Sequence, residues 1–139
     1  MRRNAAWAIG ELTGMVPGER AALITLLGDT DDWVRMASAR ALGELRDDRS
    51  LTKLVATLAD NNWRVRELAV WALSEMKDDR AVTALCNVLL SDAHVEVRRG
   101  AAVALGEIAS SDALPALRQA LNDPEIGAKA AWAISEIEG

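Results

Sequence analysis

The sequence predicts an all-helical protein built as a stacked array of helical hairpins. One phrase recurs five times in 139 residues: AAWAIGEL at 5–12, SARALGEL at 38–45, AVWALSEM at 69–76, AAVALGEI at 101–108 and AAWAISEI at 130–137. The final apolar residues of these copies are 33, 31, 32 and 29 residues apart, a recurrence typical of arrays of supersecondary units. Ala and Leu dominate the apolar residues, and Phe and Tyr are absent, which favours helices over strands.

A second apolar segment lies between successive copies of the phrase, so each unit is predicted to be two helices joined by a short acidic turn. These segments are AALITLL at 21–27, LTKLVATL at 51–58, AVTALCNVLL at 81–90 and ALPALRQAL at 113–121. One helical face of the fourth unit is predicted from spacing to contain Val97, Ala101, Ala104, Leu105 and Ile108. Single helices of this length are marginal in water, so stacking must supply their stability.

Capping residues mark where the first helix of each unit begins. Asp48, Asp79 and Asp112 are predicted to be N-caps, and Pro17 suits the first turn of its helix. Pro115 is tolerable because it falls within three residues of a predicted cap. The resulting units are a half repeat at 1–14, followed by 15–46, 47–77, 78–109 and 110–139. We predict that together they form one domain.

The sequence also indicates the cellular compartment in which the protein resides. One Cys cannot form an internal disulfide, which favours a reducing compartment. No signal-peptide pattern and no apolar run long enough to cross a bilayer is present. The sequence therefore predicts a soluble, cytoplasmic protein without membrane contact.

The segments DDWVRMASARALGELRDDRS and HVEVRRGAAVALGEIASSDA resemble HEAT repeats, more closely the short bacterial subtype of phycobilisome lyases. This resemblance covers the whole chain and implies a right-handed α-solenoid of about four and a half hairpins, with the second helices lining its concave side. It also implies a ladder in which an Asp of the inter-helix turn pairs with an Arg of a neighbouring unit. The matching residues are Asp29, Asp60, Asp92 and Asp123 with Arg2, Arg35, Arg66 and Arg98. Gly127 replaces the Arg in the last unit, which predicts looser docking there.

If the family geometry holds, one position of each second helix faces the concave surface. In chain order it is occupied by Trp7, Arg40, Trp71, Val103 and Trp132. Rigid aromatic residues on such a face are typical anchors for protein partners. Packing of each indole over a small residue of the adjacent unit is an equally open interpretation. Close approach of a neighbouring element would also explain the helical Gly10, Gly43 and Gly106.

A carboxylate follows each of these positions by four residues, on the same helical face. The row comprises Glu11, Glu44, Glu75, Glu107 and Glu136. Because each Glu lies in the last turn of its helix, the helix dipole disfavours it by about 0.3–1 kcal/mol when exposed. Pairing with Arg40, Arg49 or Arg80 is the structural explanation that we favour. An acidic lane for Lys or Arg of a partner is the functional alternative.

Charge and residue types argue against other functions. Net charge is −5, and no basic channel for phosphates is evident, which disfavours nucleic acid binding. His94 is the only histidine and is predicted to be a solvated loop residue, so neither a metal site nor another cofactor is expected. Cys86 has no evident base beside it and is predicted to be a packing residue. No catalytic motif was found.

We therefore predict a non-enzymatic scaffold that presents a concave Trp- and Glu-lined surface to a protein or peptide, favouring a basic one. The alternative is an accessory subunit of a chromophore (bilin) lyase, which the resemblance permits. A scaffold excised or engineered without a natural partner is a third interpretation, disfavoured by the uneven repeats. Solenoids need polar terminal units, so the apolar ends predict either a longer array or self-association.

Overall fold

The computed structural model describes residues 17–139, with side chains from Arg20 onward. Every helix in this range is an α-helix or a 3-10 helix, and the range contains no strand. The chain divides into two compact units, one ending at Met76 and the other spanning Lys77–Gly139. The predicted half repeat at 1–14, with Arg2, Trp7, Gly10 and Glu11, lies outside the described residues.

Two helical hairpins make up the described part of the first unit. Its helices are α1 (Pro17–Leu26), α2 (Asp32–Leu45), α3 (Leu51–Thr57) and α4 (Trp63–Met76). A 3-10 turn at Asp48–Ser50 precedes α3. Helices α2 and α4, the second helices of their hairpins, pack side by side, while α1 packs on α2 and α3 on α4.

The second unit repeats this arrangement. Its helices are α5 (Val82–Ser91), α6 (Val95–Ile108), α7 (Leu114–Ala120) and α8 (Gly127–Glu138). The 3-10 turns Asp79–Ala81 and Ser111–Ala113 precede α5 and α7. Here α6 packs against α8, α5 against α6, and α7 against α8.

The core of each unit consists mainly of Leu, Val and Ala side chains from facing helices. Fully buried leucines are Leu23, Leu42, Leu54 and Leu73 in the first unit and Leu85, Leu89, Leu105 and Leu117 in the second. The predicted face of α6 is confirmed for Val97, Ala101, Ala104 and Leu105, all at 0% exposure, whereas Ile108 is half-buried. Burial of each Leu contributes about 1.5–3 kcal/mol, which supplies the stability that short helices lack.

The predicted N-caps Asp48, Asp79 and Asp112 are wrong. The capping side chains belong to Asp47, Asp78 and Ser110, which accept hydrogen bonds from the backbone N–H of Arg49, Arg80 and Asp112. The reason is the 3-10 turn that opens each of these first helices, because it moves the cap toward the N-terminus. The predictions for the two prolines are confirmed, since α1 begins at Pro17 and Pro115 lies in the first turn of α7.

A relay of side-chain caps shapes the turn between the two helices of a hairpin. Asp60 Oδ1 accepts from Asn62 N at 2.9 Å, and Asn62 Oδ1 accepts from Arg64 N at 2.9 Å, at the start of α4. In the second unit Asp92 Oδ1 accepts from His94 N at 2.9 Å. His94 Nδ1 then accepts from Glu96 N at 3.2 Å. His94 lies in the turn between the two helices, as predicted, but it is the half-buried N-cap of α6 rather than a fully solvated residue.

Candidate partner-binding surface

In the described part of each unit, one tryptophan of the predicted surface packs against a glycine of the preceding hairpin. A Cβ added to Gly43 would lie 2.6 Å from Trp71 Cζ3, and one added to Gly106 would lie 2.5 Å from Trp132 Cζ3. Each indole therefore covers the helical backbone at a place where no side chain fits. Trp71 and Trp132 nevertheless keep 37% of their surface exposed. Each indole is thus both packed along one edge and accessible along another.

The other residues at this position differ from the indoles. Arg40 is exposed on α2, and its Nε donates to Glu44 Oε1 at 3.2 Å within the same helix. Val103 is half-buried on α6. Their contact with a partner stays a prediction.

Two carboxylates of the Glu row pair with basic residues that the sequence analysis did not single out. Arg46 Nη2 lies 3.1 Å from Glu75 Oε2 in the first unit, and Lys77 Nζ lies 3.7 Å from Glu107 Oε2 in the second. The proposed partners Arg49 and Arg80 are wrong, because they bind Asp47 and Asp78 at 3.0 and 2.6 Å. Hydrogen bonds from these guanidinium groups lower the pKa of both aspartates.

Backbone geometry explains why Arg46 and Lys77 reach these carboxylates. Each directly follows a second helix in the left-handed region, with φ of 52° and 51°, a conformation that commonly ends helices. The chain turns there, and the side chain extends toward the last turn of the next second helix. Ala109 has the same conformation, with φ of 61°, but offers no cation. Glu136 makes no ion pair within residues 17–139.

The implied ladder residue Arg35 is held on several sides within the first unit. Its Nε and Nη2 donate to the two carboxylate oxygens of Asp60 at 2.7 and 3.2 Å, and its Nη1 donates to the Asp29 carbonyl at 2.8 Å. It also pairs with Asp32. The side chains of Arg35 and Asp60 are each only 10% exposed. The hydrogen bonds to Asp60 raise the pKa of Arg35, so its guanidinium group stays charged.

The corresponding contact in the second unit is looser. Arg98 Nε lies 3.9 Å from Asp123 Oδ2, and Arg98 Nη2 lies 3.5 Å from Glu125 Oε1. Arg98 Nη1 donates to the Asp92 carbonyl at 2.9 Å, as Arg66 Nη1 does to the Asp60 carbonyl at 2.8 Å. Arg98 Nε is buried and has no hydrogen-bond acceptor among the described residues.

A local steric contact explains why residue 127 is a glycine. A Cβ at this residue would lie 2.9 Å from the carbonyl oxygen of Leu121. The turn between α7 and α8 therefore leaves no room for the Arg that the other repeats have at this position. Whether this loosens docking of the last unit stays a prediction.

One groove of the first unit was not anticipated from the sequence. Its volume is about 860 Å³, and its lining includes Trp33, Met36, Asn62 and Arg64. Trp33 is 59% exposed, and the Arg64 guanidinium lies 4.9 Å from the centre of the Trp63 ring. Trp33 directly precedes the Val-Arg pair of its repeat, the one signal that could have set it apart.

Features that would support other functions are few in the described part of the chain. Cys86 is half-buried on α5, and burial raises the pKa of its thiol, which disfavours the reactive thiolate. No group of three His, Cys, Asp or Glu side chains in residues 17–139 could hold a metal ion. Over the same residues, no helix has both the length and the apolar character that a membrane span requires.

Comparison with protein families identifies the repeat. The HEAT-repeat profile matches residues 1–74, 20–91 and 82–139. The chain belongs to the HEAT-repeat family. A comparison with curated proteins found no match.

Solved structures confirm the predicted fold class, an α-solenoid of HEAT-like hairpins. The complex of CpcE and CpcF of phycocyanin lyase from Nostoc sp. PCC7120 matches at 28% identity with a TM-score of 0.83, over 98% of this chain but 59% of that one. This match confirms the resemblance to phycobilisome-lyase HEAT repeats. Human deoxyhypusine hydroxylase in complex with glycerol matches at 23% identity and a TM-score of 0.76, over 86% of this chain and 43% of that one. A designed armadillo repeat protein in complex with the peptide (KR)4 matches at 22% identity and 0.72, over 97% and 74%. The last two show the fold alone.

Proposed function

We propose that the chain is a protein-interaction module without catalysis of its own, and that its partner is a protein or peptide with basic side chains. The observation that carries this proposal is the state of Trp71 and Trp132. Each indole is fixed along one edge by a glycine, yet is 37% exposed. Aromatic residues that are already immobilised lose little entropy on binding, which is why they anchor partners well.

Charge supports a basic partner. The net charge of the chain is −5, and each indole has a carboxylate one turn further along its helix. Glu75, after Trp71, pairs with Arg46, whereas Glu136, after Trp132, makes no ion pair within residues 17–139. Arg40, Val103, Glu44 and Glu107 are proposed as further contacts, with Arg40 selecting among partners. The same negative charge disfavours a nucleic acid partner, because phosphate binding requires basic residues.

Fluorescence anisotropy with a labelled octapeptide of alternating Lys and Arg tests this proposal at low ionic strength. A Trp71→Ala, Trp132→Ala double variant should bind at least tenfold more weakly, since each anchor contributes about 1 kcal/mol or more. Trp33→Ala is the matched control, because Trp33 is exposed but lies outside the proposed surface. If the double variant binds with the same affinity as the parent protein, the indoles serve packing only. If the parent protein shows no saturable binding, a basic partner is ruled out.

An accessory role in a chromophore lyase is the second candidate, favoured by the match to the phycocyanin lyase complex. The chain spans 59% of that protein's length, so the activity named there does not carry over by itself. Titration with a bilin, followed by its visible absorbance and by quenching of Trp fluorescence, separates the two functions. No spectral change at a bilin excess would remove the lyase role.

Self-association is proposed as a second kind of contact. Leu121 is 44% exposed, whereas Leu89 at the corresponding position of the preceding hairpin is 1% exposed. A second copy would cover this apolar surface. Sedimentation at rising concentration should show dimers that Leu121→Glu abolishes, and a strict monomer at high concentration would contradict the proposal.

A further inference from the structure

The carboxylates of the Glu row differ in what they bind. Glu75 and Glu107 each meet a cation from the residue that follows the preceding second helix, Arg46 at 3.1 Å and Lys77 at 3.7 Å. Each pair lies within one unit. The two pairs show that a carboxylate at this helical position accepts either a guanidinium or an ammonium group.

Glu136 occupies the same position on α8 without such a cation. The residue that should supply it is Ala109, whose backbone has the same left-handed conformation as Arg46 and Lys77. The nearby Arg118 is engaged elsewhere, because its Nη2 lies 2.7 Å from Glu138 Oε2. Glu136 is exposed and makes no ion pair with any residue of the described range.

Trp132 lies one helical turn before Glu136, on the same face of α8. Its ring edge is held by Gly106, and 37% of the residue is exposed. An aromatic face and a carboxylate side by side are complementary to a Lys or Arg side chain, because the ring attracts the cation and the carboxylate pairs with it. Glu75, beside Trp71, is not available to a partner in the same way, because Arg46 already pairs with its carboxylate.

We propose that Trp132 and Glu136 form the binding site for one Lys or Arg side chain of the protein partner, and that Ala109 keeps this site open. The inference rests on the proposed function and assigns its charge-selective contact to the last hairpin. The partner supplies the cation that Arg46 and Lys77 supply at the other two positions. Restoring an internal cation at residue 109 should therefore close the site.

Titration calorimetry with the Lys-Arg octapeptide at low ionic strength compares four variants with the parent protein. Glu136→Gln should weaken binding about fivefold, the effect of one exposed charged contact. Asp112→Asn removes one negative charge from an exposed residue of the same unit, leaves the Arg118–Glu138 pair intact, and should change affinity less than about twofold. Ala109→Lys should weaken binding as much as Glu136→Gln, although it leaves the site residues intact, and Ala109→Ser should not.

Circular dichroism melting verifies that every variant is folded, and Lys is already accommodated in this backbone conformation at residue 77. Weakening by Ala109→Lys and Glu136→Gln, but not by their controls, supports the site. Equal affinity of all variants for a peptide that still depends on the two indoles overturns this inference and leaves the proposed function standing. No binding to the parent protein overturns both.

Discussion

The junction between the two hairpins of the first unit and that of the second share their apolar contacts but differ in charge. In both, a Trp of one second helix closes over a Gly of the preceding one, with hypothetical Cβ distances of 2.6 and 2.5 Å. Arg35 binds Asp60 at 2.7 Å, whereas the corresponding Arg98 and Asp123 are 3.9 Å apart. Arg46 pairs with Glu75, whereas Ala109 offers no cation to Glu136, which makes no ion pair with any residue of the described range. Shape complementarity is thus the common requirement for stacking, and charge is what each junction can vary for binding.

The largest effect should come from the shared apolar core. Leu73 and Leu105 are both fully buried at corresponding positions, so truncation to Ala should lower the free energy of unfolding by about 2–5 kcal/mol in each case. Ile134, at the corresponding position of α8, is only half-buried. Its truncation to Ala should therefore lower the free energy of unfolding by only about 1 kcal/mol. Urea denaturation followed by circular dichroism measures all three. A far smaller loss at one Leu than at the other would break the equivalence of the junctions.

The next largest effect should come from the Arg–Asp contacts, whose loss should lower stability more in the first unit than in the second. Arg35→Met leaves the carboxylate of Asp60, 10% exposed, without its partner and should cost about 3 kcal/mol. Arg98→Met should cost less than about 1 kcal/mol, because Asp123 is 33% exposed and its contact is long. The same denaturation measurement applies. Equal costs would mean that the difference in distance has no energetic consequence.

Glycine substitutions sharpen the apolar comparison. Gly43→Ala gains up to about 1 kcal/mol of helix propensity, but its methyl group would lie 2.9 Å from the backbone Cα of Ala72. We expect net destabilisation of about 1–2 kcal/mol.

Gly106→Ala should cost less, because Ala133 Cα is 3.1 Å away and the exposed Trp132 ring can tilt. In a Trp132→Ala background, Gly106→Ala should become neutral or stabilising. Continued destabilisation in that background would show that the backbone contact, rather than the indole, requires the glycine.

The smallest effect concerns affinity. Lys77→Ala removes the cation 3.7 Å from Glu107 and leaves that carboxylate, like Glu136, without an ion pair among residues 17–139. Affinity for the Lys-Arg octapeptide should rise by about two- to fivefold, with Lys53→Ala as a control for the loss of one positive charge. Unchanged affinity would indicate that a free carboxylate without an adjacent indole does not recruit a cation.

The repeats and their buried faces could be predicted because a recurring phrase reports helical spacing directly, as Val97 and Leu105 show. Cap positions could not, since adjacent acids such as Asp47 and Asp48 both fit an N-cap and the 3-10 turn decides between them. The ion-pair partners of Glu75 and Glu107 could not be predicted either. Glycine is the usual residue for a left-handed helix end, so nothing in the sequence marked Arg46 and Lys77 as occupying that conformation.

The roles of the indoles lay beyond sequence reasoning for a different cause. Packing and partner binding both require a Trp on the same helical face, so the pattern could not separate them. The close contacts of the rings with Gly43 and Gly106 depend on how neighbouring helices pack, which the sequence does not encode locally.

Indole N–H resonances in a ¹H–¹⁵N spectrum test most directly whether the two indoles contact the partner. On addition of the Lys-Arg octapeptide to saturation, we expect shifts at Trp71 and Trp132 and none at Trp33 and Trp63. Shifts confined to Trp33 and Trp63, or an unchanged indole spectrum at saturation, would contradict it.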